Sequence, residues 1–378
     1  MTEIKRAIGL MSGTSMDGID VALLETDGQN RVKRGPSGFT GYDTRFRRRI
    51  EAALQDARQI KVREERPAAL QELEREITDR HGEAVQAFLS LNHIDKESVD
   101  LIGFHGQTVL HRPEIGLTVQ LGDGGALANM TGIPVVYDMR ANDMLHGGQG
   151  APLVPIYHQA LAAGIPVERS GGKPVMFVNI GGISNVTIIA DGKEPVAFDT
   201  GPGNALIDQW VMDQAGIAYD AGGAIASEGH FVDAVVRRYL SKSFFTQKPP
   251  KSLDRNDFTL EELGSVELAD GARTLARVTA CSILEAAKFC AGTPGLWVIC
   301  GGGRKNATIM ADLTEGAASD GAQVIASEEI GLNGDSMEAE AWAYLAVRAA
   351  RGLPLTFPTT TGCKMPVSGG TLIKPSKV

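Results

Sequence analysis

Ile8-Gly-Leu-Met-Ser-Gly-Thr-Ser-Met-Asp-Gly-Ile-Asp-Val-Ala-Leu-Leu24 decides how this chain is read. Two apolar runs, Ile8–Met11 and Ile19–Leu24, have the length and composition of short buried strands. The turn between them is almost wholly Gly, Ser, Thr and Asp. Gly13 and Gly18 relieve the steric limits of a tight bend, so backbone N–H groups and hydroxyls can crowd round one ligand. A hairpin rich in donors and poor in bulk suits a phosphate. An ordinary hairpin with a polar loop accounts for this stretch, taken alone, equally well.

The chain has 378 residues, long for one core, so two domains are expected. Hydrophobic residues make up 43% and charged residues 22%, the balance of a globular protein. The 45 glycines cluster in a few turns, which points to glycine-dependent sites. A net charge of −9 excludes a broad nucleic-acid surface but not a nucleotide, which needs only a local cradle. Cys281, Cys290, Cys300 and Cys363 show no C-x-x-C spacing, so neither a zinc site nor a disulfide framework is expected, and the first two are read as helical, buried thiols. No apolar signal core or bilayer-length run appears, and a cytoplasmic location without membrane contact follows as the expectation.

After the hairpin, Arg31–Tyr42 is a weakly signalled third strand, Thr44–Arg58 and Pro67–Leu91 read as helices, and Val99–Gly103, Thr118–Leu121 and Ile133–Tyr137 as strands. Gly164–Pro174 reads as a linker. The pattern then restarts with Val175–Ile180, a Gly-Gly turn, Val186–Ala190 and Pro195–Phe198, followed by helices at Asn204–Gln214 and Leu275–Cys290 and a strand at Leu296–Cys300. A duplicated α/β unit would turn its two glycine bends toward one ligand in a cleft.

Several further elements carry chemistry. Gly181, Gly182 and Asn185 form a second donor-rich turn between apolar strands. Gly301, Gly302 and Gly303 join a buried strand to a helix and, with Asn306, leave room for a flat group such as adenine with its ribose; tight strand–helix packing is the alternative use. Neither a P-loop nor a Rossmann spacing is present. Asp199 stands where a strand gives way to Gly-Pro-Gly, poised to accept a proton or position water, though an Asp bonded to turn amides fits the same pattern. In the first half, His105, Gln107, Asp138, Arg140 and Gln149 lie in polar clusters, and their alternative is salt bridging of little worth in water. Glu338 and Glu340 open the last helix two residues apart, so at most one faces a ligand. The two histidines His105 and His146 lack a third partner for a metal.

Together with His146-Gly-Gly-Gln-Gly150 and Met337-Glu-Ala-Glu340, these motifs make the chain similar, nearly end to end, to the 1,6-anhydro-N-acetylmuramic acid kinase family of the actin, hexokinase and Hsp70 fold group. The resemblance implies an α/β fold of duplicated ribonuclease H-like domains with a cleft between them. It places the first domain at 1–165 plus about 345–378 and the second at 170–344. It implies an enzyme that opens the 1,6-anhydro ring of the amino sugar with water while passing the ATP γ-phosphate to O6, within peptidoglycan recycling. On it, Asp199 matches the catalytic base; Gly13, Thr14, Ser15, Met16, Asp17, Gly18, Ile19 and Asp20 the first phosphate hairpin; and Gly181, Gly182 and Asn185 the second. Gly301, Gly302, Gly303 and Asn306 match the adenosine side, and His105, Gln107, Asp138, Arg140, Gln149 and Glu338 the sugar side. The expected small molecules are ATP, Mg²⁺ and the amino sugar, with no protein-held metal, no nucleic acid, and a homodimer as the assembly carried forward. Met11 stands where the wider fold group has Asp, so Asp17 or Asp20 is assigned the place near Mg²⁺. Kinase action on an ordinary hexose or acyl acceptor, a nucleotide-driven switch, and a hydrolase using Ser15 are the competing readings; no G-x-S-x-G elbow frames Ser15.

Overall fold

Unbroken apolar runs build both sheets of the computed structural model, which describes residues 2–13, 15–253 and 257–376. Contacts divide them into two units, one of Met1–Gly164 with Ser336–Val378, the other Ile165–Asp335. In the first, β1 (Lys5–Ser12) buries four consecutive residues, Ala7–Leu10, as a strand covered on both faces does. It pairs antiparallel with β2 (Gly18–Thr26), which pairs with β3 (Val32–Gly41). On its other side β1 pairs parallel with β4 (Leu101–Arg112). β4 carries β5 (Leu117–Leu121) as a hairpin partner and β6 (Val135–Tyr137) as a parallel neighbour. The last strand, Thr371–Ile373, closes the edge beside β6, giving seven strands. β3 forms the opposite edge, and its almost wholly exposed residues include Gly35, Pro36 and Gly38, which suit an edge.

Helices cover the faces of this sheet. Phe46 and Ile50 of helix Thr44–Ala57, with Leu70, Leu73 and Ile77 of helix Leu70–Leu91, pack on Val109, Val119 and Leu121. Asp43 caps the first of these helices by accepting from the Phe46 amide at 2.9 Å. The helix Met337–Ala350 lies against β1 and β4. Gly9 and Gly103 are register partners, and each faces its backbone.

The second unit repeats the topology. β7 (Val175–Ile180) pairs antiparallel with β8 (Ile183–Ile189), β8 antiparallel with β9 (Val196–Pro202), and β7 parallel with β10 (Leu296–Cys300), which pairs parallel with β11 (Gln323–Ala326). Numbered within each unit, both sheets run 3-2-1-4-5, with the first unit adding a hairpin strand and an edge strand. This order is the duplicated ribonuclease H-like α/β fold. Trp210 of helix Ala205–Ala215, Tyr239 of helix Asp233–Leu240 and Leu275 of helix Leu268–Leu284 fill the core over this sheet.

Several elements depart from the sequence reading. β4 runs on to Arg112, so His105 and Gln107 lie inside a strand and not after one. Pairing with β5 satisfies the backbone there, while Gly106 at φ +73° takes up the bend. β9 runs through Asp199, Gly201 and Pro202. The linker stretch contains the short helix Val167–Ser170, ended by left-handed Gly171. The long helix begins at Leu268, ends at Leu284 and tightens into a 3-10 turn, leaving Cys290 beyond it. Cys281 and Cys290 are half-buried, whereas Cys300 and Cys363 are buried.

A Cβ on Gly9 would lie 1.8 Å from the Ala339 carbonyl oxygen, and one on Gly103 would lie 2.1 Å from that of Trp342. Gly9→Ala and Gly103→Ala are each expected to cost about 3 kcal/mol, the upper end for overpacking, measured by urea unfolding. A loss below about 1 kcal/mol would mean that the helix slides away at little cost.

Candidate active site

In the first unit the chemistry gathers where β1 meets β2 and β4. Gly13, Ser15, Met16 and Asp17 form the turn; Thr14, assigned to the same hairpin, lies outside the described residues. The Ser15 hydroxyl donates to Asp17 Oδ1 at 2.5 Å, and the Met16 amide donates to the Gly13 carbonyl at 3.2 Å, with Met16 at φ +53°. Ser15 and Asp17 are exposed; Gly18 and Ile19 are buried at the start of β2, and half-buried Asp20 faces Met11 across the pair.

Beneath this turn sits a network that sequence reasoning did not resolve. The Ser12 hydroxyl donates to the Gly106 carbonyl at 2.9 Å, and Gln107 Nε2 donates to the Gly13 carbonyl at 3.0 Å. His105 Nδ1 lies 3.2 Å from the Ser12 carbonyl, while Arg140 Nε and Nη2 reach His105 Nε2 at 3.2 and 3.0 Å. Nε2 must then accept, and Nδ1 carries the proton. Arg140 Nη1 donates to the Gly150 carbonyl at 2.8 Å, and its guanidinium lies 5.3 Å from the Trp342 ring. Burial pulls Arg140 down to about 10, against the charges of Glu338 and Asp143. Burial, then the Arg140 charge, holds His105 well below the usual imidazole value. His105 and Gln107 thus face inward as supports of the turn and of Arg140.

Beside them lies a cavity of about 170 Å³ lined by Arg63, His105, Gln120, Tyr137 and Asp138, among others. Asp138 adopts φ +56°, uncommon for a non-glycine residue, and accepts from Arg63. The Gln149 amide donates to the Thr361 carbonyl at 2.9 Å, which ties the Gly147–Gly150 turn to the C-terminal segment. Glu338 is solvent-accessible yet closely surrounded; desolvation lifts its carboxyl above the ordinary value, partly offset by the Arg140 charge. Glu340 is the acid that turns inward, bound by Arg34 Nε at 2.9 Å and by the Tyr157 hydroxyl at 2.7 Å.

In the second unit Asn179, Asn185 and Asp199 are successive register partners across β7, β8 and β9, so one polar row crosses an apolar sheet. The sequence reading assigns Asn179 no role; its place as the lone amide in Val-Asn-Ile is the available signal. The Gly181 and Gly182 carbonyls accept from the Asn204 and Gly203 amides at 2.8 and 2.9 Å, which seats the turn on the start of helix Ala205–Ala215. The Asp199 amide donates to the Lys251 carbonyl at 3.0 Å, and its Oδ2 accepts from the Leu253 amide at 2.8 Å. Burial pushes its carboxyl up to about 6, with the Leu253 hydrogen bond and the Lys251 charge opposing.

Gly301 takes φ +73° and passes so close to Asn179 that a Cβ would meet its Oδ1 at 2.3 Å. Gly303 is packed on Ile180, whereas Gly302 is open: a Cβ there meets nothing nearer than Asn204 Nδ2 at 3.8 Å. Gly302 borders a cavity of about 450 Å³ with Asn204, Asp208, Tyr219, Gly222 and Lys305. Asn306 also borders it, but its side-chain oxygen caps helix Ala307–Ala318, accepting from Thr308 and Ile309 amides at 3.1 and 3.2 Å. Among the described residues no group of three or more His, Cys, Asp or Glu is placed to hold a metal, and no helix is long and apolar enough to cross a membrane.

A duplicated ribonuclease H-like chain with a glycine turn at the same point of each sheet defines a broad fold class. The model of the family Anhydro-N-acetylmuramic acid kinase matches residues 5–375, and the chain belongs to that family. Curated relatives include the anhydro-N-acetylmuramic acid kinase of Agrobacterium fabrum, 55% identical over 374 residues, covering 99% of this chain and 100% of that protein. That of Rhizobium johnstonii is 55% identical over 375 residues with the same coverage. Among solved structures, the activator of a 2-hydroxyisocaproyl-CoA dehydratase from Clostridium difficile superposes with a TM-score of 0.43 at 9% identity, covering 92% of this chain and 96% of that one. At that level the fold rests on the sheet orders themselves.

His105 is expected to stay neutral, protonated on Nδ1, through the range where an ordinary histidine titrates, because protonating Nε2 would set it against a buried guanidinium. Nitrogen NMR of labelled histidine checks this; a titration step for His105 near its ordinary value would refute the network.

Proposed function

We propose that this chain transfers the γ-phosphate of ATP to O6 of 1,6-anhydro-N-acetylmuramic acid while water opens the anhydro bridge. The products are N-acetylmuramic acid 6-phosphate and ADP, a cytoplasmic step of peptidoglycan recycling. Family membership supports the substrate. The observation that carries the chemistry is Asp199: a desolvated carboxylate in the Asn179–Asn185 row, its acidity moved toward neutrality and one oxygen fixed by a backbone amide. A group with those properties is ionised at neutral pH yet basic enough to accept a proton from water.

In the proposed reaction the second Asp199 oxygen takes a proton from the water as its oxygen bonds to C1. The C1–O6 bond breaks, O6 takes the phosphoryl group, and ADP leaves. The chain's remaining task is positioning, which suits phosphoryl transfer. Amides and hydroxyls of the turns at 13–17 and 181–182 hold phosphates, and the cavity beside Gly302 receives adenosine. Arg140, braced by His105, with Asp138 and Glu338 holds the sugar. The exposed Asp17 carboxylate, or Asp20 on the same hairpin, would contact the water shell of an ATP-bound Mg²⁺, which would supply charge neutralisation at the phosphates.

ATP turnover should be strong with the anhydro sugar and weak with free N-acetylmuramic acid or glucose; the reverse preference would overturn the assignment. Asp199→Asn should lower kcat by about a thousandfold with nucleotide affinity retained, as expected on losing a general base. The acid limb of wild-type turnover should have its midpoint near the Asp199 value of about 6, activity rising with pH as the carboxyl ionises. A flat profile from pH 5 to pH 8 would remove Asp199 from that role.

A further inference from the structure

The second unit buries a lysine whose position the reaction chemistry does not itself require. Lys251 is 7% exposed, and among the described residues its ammonium makes no ion pair. Lysines are rarely buried without a compensating charge. Here Nζ donates to the Phe244 carbonyl at 3.0 Å and lies 4.1 Å from the Phe244 ring centroid, 5.2 Å from Phe289, 5.7 Å from Phe198 and 5.9 Å from Phe245. A buried ammonium close to aromatic rings recovers part of its lost hydration through cation–π attraction.

What this burial fixes is the backbone on either side. Residues 251–253 have no regular secondary structure, so no ladder of hydrogen bonds holds them in place. Yet they grip Asp199 twice, the Lys251 carbonyl on its amide and the Leu253 amide on its carboxylate. We propose that Lys251 is a positioning residue for Asp199: its caged ammonium anchors the 251–253 strap that aims the carboxylate. The inference rests on the reading of Asp199 as the base.

The same ammonium acts on Asp199 through space, favouring the ionised carboxyl. Among the described residues, the other charges that bear on Lys251 are Lys288, which donates to the Phe245 carbonyl at 2.8 Å, and Glu285, which is paired with Lys288. Replacing Lys251 by methionine keeps the stem's packing and removes the charge and the hydrogen bond. It should loosen the strap and raise the pH at which Asp199 ionises.

Lys251→Met is therefore expected to reduce kcat about tenfold or more with KM values for ATP and sugar changed less than about twofold. Its acid limb should move up by about one pH unit, and Lys251→Arg should return the limb toward wild type. In the unmodified full chain, the Leu253 amide proton shift should titrate with the same midpoint as the acid limb, a readout that survives if the methionine variant folds poorly. Wild-type kcat and limb in Lys251→Met, a change in KM alone, or a Leu253 amide that does not titrate would each overturn the inference. If instead Asp199→Asn keeps full turnover, the reading of Asp199 as base fails first. An inactive Asp199→Asn beside a normal Lys251→Met sinks the strap alone.

Discussion

The first unit hangs on a contact that only glycine permits. Gly9 and Gly103 face each other on parallel strands, and the backbone of helix Met337–Ala350 lies directly over both. That helix reaches its sheet only after the chain has built the whole second unit. Its seat brings Trp342 to 4.6 Å from the His105 ring, sets Glu338 within electrostatic range of Arg140, and buries Glu340 against Arg34 and Tyr157. One packing constraint therefore orients the bracing of the first turn and the groups assigned to the sugar. Close backbone approach does the same in the second unit, where a Cβ on Gly203 would meet the Gly181 carbonyl at 2.3 Å and the Gly301 bend is pressed on Asn179.

Against this rigid frame, Asp199 is an electrostatic compromise. Burial favours the protonated carboxyl, whereas full hydration would leave it in the ordinary carboxylate range. The Leu253 amide and the Lys251 charge pull against desolvation, and the balance falls near neutrality. His105 is tuned the other way. Desolvation and a neighbouring guanidinium keep it neutral, so it can accept from Arg140 and donate to the Ser12 carbonyl, coupling the arginine to the end of β1 beneath the first glycine turn.

Most of the fold was legible in the sequence because unbroken apolar runs and glycine punctuation mark β1, β2, β7 and β10 strongly. The turn residues Gly181, Gly182 and Gly301 were legible for the same reason. What escaped were features set by partners distant in sequence. The extension of β4 through His105 and Gln107 depends on its hairpin with β5, whereas the apolar run in the sequence ends at Gly103. The inward role of those two side chains depends on Ser12, Gly13 and Arg140. Lys251, beside two prolines, looks like an ordinary surface lysine until Phe198, Phe244, Phe245 and Phe289 are brought around it.

The central claim is that a water molecule, deprotonated by Asp199, attacks the anomeric carbon while O6 receives the phosphoryl group. It is tested most directly by a single turnover in water labelled with a heavy oxygen isotope, the product being analysed before its C1 hydroxyl exchanges with solvent. The account predicts label on the C1 hydroxyl and none in the phosphoryl group. An unlabelled C1 with label in the phosphoryl group would place water's attack at phosphorus and contradict it.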